Sequence, residues 1–156
     1  MRNAYITFAD CITPLGPNIE QIYAGILRYK TGINKNERGN LSASFSLSQQ
    51  INFFGKHFSF DNPAASTMLG VILKRLTDKY SVSLQDAKTL LVICSTKGDI
   101  EQLSEKHPTP LLDLSIKMKA LFNLANSPVI LSNACVSSLH GLMYAKRLVA
   151  SGIYDS

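Results

Sequence analysis

Apolar and polar residues alternate along this chain with two periods, which succeed each other from segment to segment. Short apolar runs predict buried strands at residues 4–9, 89–95 and 129–131. Apolar residues spaced three and four apart predict helices at about residues 18–30, 62–80, 111–124 and 136–151. Strands that alternate with helices are typical of a parallel sheet covered by helices. The pattern therefore predicts an α/β fold, with a mostly parallel sheet and helices on both faces.

The segment between residues 34 and 60 has a weaker pattern. Serines alternate with Phe45 and Leu47, which favours an edge strand or an exposed hairpin arm. Four phenylalanines follow, at Phe53, Phe54, Phe58 and Phe60. Their side chains form either a lid over a ligand pocket or a small core beneath a long loop, and the small core is the commoner arrangement.

The composition predicts one globular domain that spans residues 1–156, with 46% hydrophobic and 17% charged residues. Sixteen basic residues against eleven acidic ones give a net charge of +5, but the basic residues are scattered. No run of like charge marks a nucleic-acid-binding surface. We therefore expect a mildly basic, solvated surface and no nucleic-acid partner.

The cysteines and the N-terminal residues bear on location. The three cysteines are widely spaced and odd in number, which fits neither a disulfide framework nor a zinc site and favours a reducing cytoplasm. Cys11 and Cys94 lie in or beside apolar strands and are expected to be inert, buried side chains. The first residues lack the apolar core of a signal peptide, and no apolar run approaches membrane-spanning length. We therefore expect a cytoplasmic protein with no membrane partner.

Cys135 is the candidate nucleophile. It lies between the predicted strand at residues 129–131 and the helix that follows, where unpaired backbone N–H groups favour negative charge. That position favours the thiolate, which is the nucleophilic form of cysteine. Ser137 and Gly141 are small and leave room for a close neighbour, which indicates a tightly packed, buried helix.

The segment Thr96-Lys97-Gly98 follows the second apolar strand. One glycine and one lysine fall far short of a phosphate-binding loop, so the segment is predicted to be a turn.

Three segments of the chain resemble one known family. Residues 133–141 (NACVSSLHG) resemble the nucleophile segment of β-ketoacyl-acyl carrier protein synthases, members of the thiolase-like superfamily. Residues 5–16 (YITFADCITPLG) resemble the first strand of that family and its turn. Residues 91–98 (LVICSTKG) resemble the central strand before a glycine-bearing loop. The resemblance spans the chain but covers the N-terminal half of such a synthase.

The resemblance implies one half of a thiolase-like fold, incomplete at its C-terminus, with a further core strand expected after Ser156. It also implies a decarboxylating Claisen condensation in fatty-acid or polyketide biosynthesis. Cys135 would take an acyl group as a thioester and pass it to the carbanion formed from a malonyl thioester. The acyl groups arrive on the phosphopantetheine of acyl carrier protein, which is the implied partner. No bound cofactor or metal is implied, and members of the family are homodimers.

The resemblance places the remaining catalytic groups of the family in its C-terminal half. These are the second oxyanion donor, a lysine, and two histidines or a histidine and an asparagine. His57, His107 and His140 do not match those motifs. His57 and His107 are predicted to lie in surface loops, and His140 is predicted to be a buried, hydrogen-bonded or helix-packing residue. We therefore expect residues 1–156 alone to be inactive in condensation.

Two alternatives remain open at the level of the sequence. In the first alternative to the synthase, the chain is a non-catalytic half or scaffold subunit that needs a partner chain. In the second, it is a thiolase-type enzyme that acts on coenzyme A thioesters. Both keep the α/β fold and differ from the synthase in what Cys135 does.

Overall fold

The structure is a computed structural model that describes residues 2–35, 41–43, 51–53, 56–58, 64–100, 103–105 and 108–156. Between residues 34 and 58 the description covers the backbone alone.

The described residues form a mixed α/β structure, as the sequence pattern predicts at this level. Its four helices are α1 (Ile19–Leu27), α2 (Ala65–Lys79), α3 (Pro110–Phe122) and α4 (Ser137–Ser151). Its strands are β1 (Ile33–Lys35), β2 (Leu41–Ala43), β3 (Ile51–Phe53), β4 (Lys56–Phe58), β5 (Val92–Cys94) and β6 (Val129–Leu131). They pair as two antiparallel hairpins, β1–β2 and β3–β4, and one parallel pair, β5–β6. None of the described helices is both long and apolar enough to cross a membrane.

The chain divides into two compact units. One unit joins residues 2–7 to residues 73–156, and the other comprises residues 8–72. The first unit contains the parallel strands and Cys135, so it carries the candidate site.

In the unit of residues 8–72, helix α1 begins where the sequence predicts. The side chain of Asn18 accepts a hydrogen bond from the backbone N–H of Gln21 at 2.9 Å, which caps the first turn. The helix ends at Leu27, earlier than the predicted Lys30, because Tyr29 adopts a left-handed backbone with φ 53°. The N–H of Lys30 then donates to the carbonyl of Gly25 at 3.0 Å, as in a Schellman-type helix end.

The hairpins of this unit cover part of the segment whose sequence pattern is weak. Strand β2 covers Leu41–Ala43, where Ala43 pairs with Ile33 of β1, and so it meets only the first residues of the segment with alternating serines. Phe45 and Leu47 lie outside the described residues, and the side chains of the phenylalanine cluster are not described either. The lid and the small core therefore both stay predictions.

The predicted first strand, residues 4–9, is wrong for this structure. These residues form no regular element, and Tyr5 and Ile6 are 78% and 77% exposed. The segment is instead attached at its start, where the N–H of Arg2 donates to the carbonyl of Ala150 at 3.2 Å and its guanidinium meets Asp155 at 2.8 Å. Apolar alternation produces a strand only where a neighbouring strand supplies a hydrogen-bond ladder, and no described strand pairs with this segment.

In the unit that carries Cys135, strands β5 and β6 pair in parallel with Ile93 opposite Ile130. Helix α3 connects them in sequence, and its side chains Leu114, Met118 and Phe122 are buried. The second predicted strand is shorter than its apolar run. Within it Ile93 is buried, whereas Val92 and Cys94 are half-buried.

The far end of α4 is fixed against the segment that precedes β5. Gly152 ends the helix with φ 76°, and the ammonium of Lys88 binds the carbonyls of Gly152 and Ile153 at 3.3 and 3.1 Å. The N–H of Leu90 donates to the carbonyl of Ser156 at 2.9 Å, and the N–H of Ser156 donates to the carbonyl of Lys88 at 3.3 Å. Together, the two hydrogen bonds of Ser156 have the pattern of a single bridge between parallel strands.

Candidate active-site turn at Cys135

Cys135 lies in a tight turn between a strand and a helix, as the sequence predicts. Strand β6 ends at Leu131, a single 3₁₀ turn spans Ala134–Val136, and α4 begins at Ser137. The cysteine is exposed to solvent. Its thiol is therefore accessible to a reagent or substrate without any movement of the fold.

The residue before the cysteine has a strained backbone. Ala134 adopts φ 44°, in the left-handed region of backbone conformation. Residues other than glycine adopt this conformation at a cost of about 1–2 kcal/mol. A strained residue on a sharp strand-to-helix turn also presents the nucleophile in enzymes with a nucleophile elbow. The sequence gives no sign of this strain, since alanine is not a residue that favours positive φ.

Ser137 holds the turn in this shape. Its hydroxyl accepts a hydrogen bond from the N–H of Asn133 at 2.8 Å and donates one to the carbonyl of Ala134 at 2.8 Å. The residue is only 4% exposed, so water does not replace these bonds easily. The sequence pattern predicts Ser137 only as a small residue that leaves room for a close neighbour, and not as a residue that bonds the turn. The signal available there was a serine in the first helical turn, where its hydroxyl commonly bonds nearby backbone groups.

We expect Ser137→Ala to destabilise the fold by about 0.5–1.5 kcal/mol, because the N–H of Asn133 loses its partner and the carbonyl of Ala134 keeps only the backbone N–H of residue 137. The same change should alter the rate at which iodoacetamide modifies Cys135, since the turn loses both of its bonds to the serine. Chemical denaturation and residue-resolved mass spectrometry measure the two effects. Ser138→Ala is the matched control at an exposed neighbour, and it should change stability by less than about 0.5 kcal/mol. Equal effects of the two substitutions would contradict the bracing role.

His140 is exposed, which corrects the prediction of a buried side chain. The predicted hydrogen bond of this histidine is present, since its Nδ1 lies 3.0 Å from Nδ2 of Asn133. An amide nitrogen can only donate, so Nδ1 accepts in this arrangement. The pair links the residue before the turn to the first turns of α4. His57 is described by its backbone alone, in β4, and His107 lies outside the described residues.

Cys94 is the cysteine that contacts α4. It is half-buried in β5, and burial raises the pKa of its thiol above the ordinary value, against the opposing effect of a backbone hydrogen bond with Gly141. Cys11 is half-buried in the other unit, with its own N–H bound to the carboxylate of Asp10 at 2.9 Å. Cys135 is thus the most accessible of the three thiols.

Gly141 allows α4 to lie close against β5. A Cβ placed on this residue would overlap the Sγ of Cys94, while Val92 Cγ1 would be 3.9 Å away. Gly141 and Ser137 are the buried residues of α4. The small residues after Cys135 therefore do admit a close neighbour, as predicted, but the helix is buried on one side and not all round.

The turn after β5 is not a phosphate loop. The hydroxyl of Ser95 accepts hydrogen bonds from the N–H groups of Gly98 at 2.9 Å and Lys97 at 3.3 Å. Those two amides are therefore already occupied and do not point together at an anion. Gly98 has φ 64°, and a Cβ there would lie 2.5 Å from the carbonyl oxygen of Pro110, so the turn also fits closely under the start of α3.

The described residues contain no group of three or more His, Cys, Asp or Glu side chains that could hold a metal ion. Comparison of the sequence with protein-family models, with curated proteins and with solved structures finds no match in any of the three.

Proposed function

We propose that this chain is the N-terminal portion of a β-ketoacyl-acyl carrier protein synthase with a thiolase-like fold, in which Cys135 carries the acyl group. The observation that supports this most is the position of Cys135. An exposed thiol follows a strained Ala134 at the junction of strand and helix, and a buried serine braces the turn.

The backbone at Cys135 also suits acyl transfer. Cys135 is the second residue of its 3₁₀ turn, and the first hydrogen bond of that turn runs from the N–H of Val136 to the carbonyl of Asn133, so the turn itself gives the N–H of Cys135 no partner. That N–H can therefore donate to the oxyanion that forms when the thiolate attacks a thioester carbonyl. The new carbon–sulfur bond forms to Cys135 while the bond to the pantetheine sulfur breaks. The departing pantetheine thiolate then takes up a proton.

In the complete reaction, the acyl group would pass from Cys135 to the carbanion left when a malonyl thioester loses carbon dioxide. We propose acyl carrier protein as the carrier of both thioesters and the cytoplasm as the location. Condensation needs groups besides those of residues 1–156, because none of the three histidines lies in the decarboxylation motifs of the family. Loading of Cys135 does not need them and can be tested on this chain.

The test is the relative reactivity of the three cysteines. We expect iodoacetamide at pH 7–8 to modify Cys135 before Cys11 and Cys94, because Cys135 alone is exposed. At a given pH in this range, Cys94 should react more slowly than an ordinary thiol of equal exposure, since burial raises the pKa of its thiol and so lowers its thiolate fraction. Mass spectrometry of peptides over a time course gives each rate. A rate at Cys94 equal to that at Cys135 would argue against an activated Cys135.

A second candidate is a non-catalytic half that pairs with another chain. It is favoured by α4, whose large apolar side chains Leu139, Leu142 and Met143 are exposed. The two candidates differ in acyl loading, which a scaffold does not need. A thiolase-type enzyme would differ again, since it would load from acyl coenzyme A in preference to acyl carrier protein.

A further inference from the structure

We draw no further inference here: the strongest candidate, the exposed apolar face of helix α1 formed by Ile19, Tyr23, Ile26 and Leu27, carries none because nothing in the described part of the chain shows what covers it.

Discussion

Replacing Cys135 with alanine is expected to abolish covalent acyl loading of the chain. The alanine side chain has no nucleophilic group. Neither Cys11 nor Cys94 lies in a strand-to-helix turn with an exposed thiol. The measurement is the intact mass of the protein after incubation with an acyl thioester of acyl carrier protein. The unsubstituted chain should gain the mass of one acyl group, and the variant should gain none.

Two variants serve as controls for this loading. Cys94→Ala should keep the acyl adduct, because its half-buried thiol has a raised pKa and a low thiolate fraction. His140→Ala should also keep it, since the ring is bound to Asn133 and does not match a decarboxylation motif. An acyl adduct that persists in Cys135→Ala would place the nucleophile elsewhere in the chain.

Gly141→Ala is expected to destabilise the unit that contains Cys135. The new methyl group would overlap the Sγ of Cys94, and overpacking of this kind costs about 1–3 kcal/mol. The gain in helix propensity from glycine to alanine, about 1 kcal/mol, opposes part of that cost. Chemical denaturation should therefore show a net loss of stability, and Cys135 should be alkylated at a changed rate because α4 shifts from its position on β5.

The same substitution should be tolerated once the sulfur is removed. In the Cys94→Ala background, the methyl group on residue 141 would lie about 4.0 Å from the Cβ of residue 94 and 3.9 Å from Val92 Cγ1, which are ordinary contacts. Helix propensity alone then remains, so Gly141→Ala should be neutral or slightly stabilising there. The double-mutant cycle isolates this coupling between the two residues.

Gly25→Ala provides a matched control in α1. A Cβ at this buried glycine would lie 3.7 Å from Leu15, so it needs no rearrangement and should not destabilise the protein. The opposite outcome is an equal loss of unfolding free energy from Gly141→Ala with and without the Cys94 sulfur. That outcome would contradict the view that residue 141 must be glycine because α4 lies close to β5.

The elements around Cys135 could be predicted because local signals determine them. The apolar run at residues 129–131 is a strand as predicted, and the helical spacing that follows gives α4 up to Ser151. Asn18 caps α1 through its own side chain, which is equally local. The turn at Cys135 was predicted from its place between these elements.

Features that depend on distant neighbours could not be predicted in the same way. Residues 4–9 have the alternation of a strand, but a strand also needs a partner, and their sequence does not encode one. The exposure of His140 depends on which side of α4 meets the sheet, and that depends on the fit of Gly141 against Cys94. The left-handed backbone of Ala134 is imposed by the hydrogen bonds of Ser137 on either side of it.

The contact between Arg2 and Asp155 has a consequence for the order of folding during synthesis. The two residues are 153 positions apart, yet they belong to the same compact unit. A ribosome releases the chain from its N-terminus, so this unit cannot close until nearly all of residues 73–156 have emerged. Residues 8–72 emerge first, and their unit is one continuous segment that includes no residue from later in the chain. We therefore expect them to fold first, and the turn that presents Cys135 to form late, once α4 is complete.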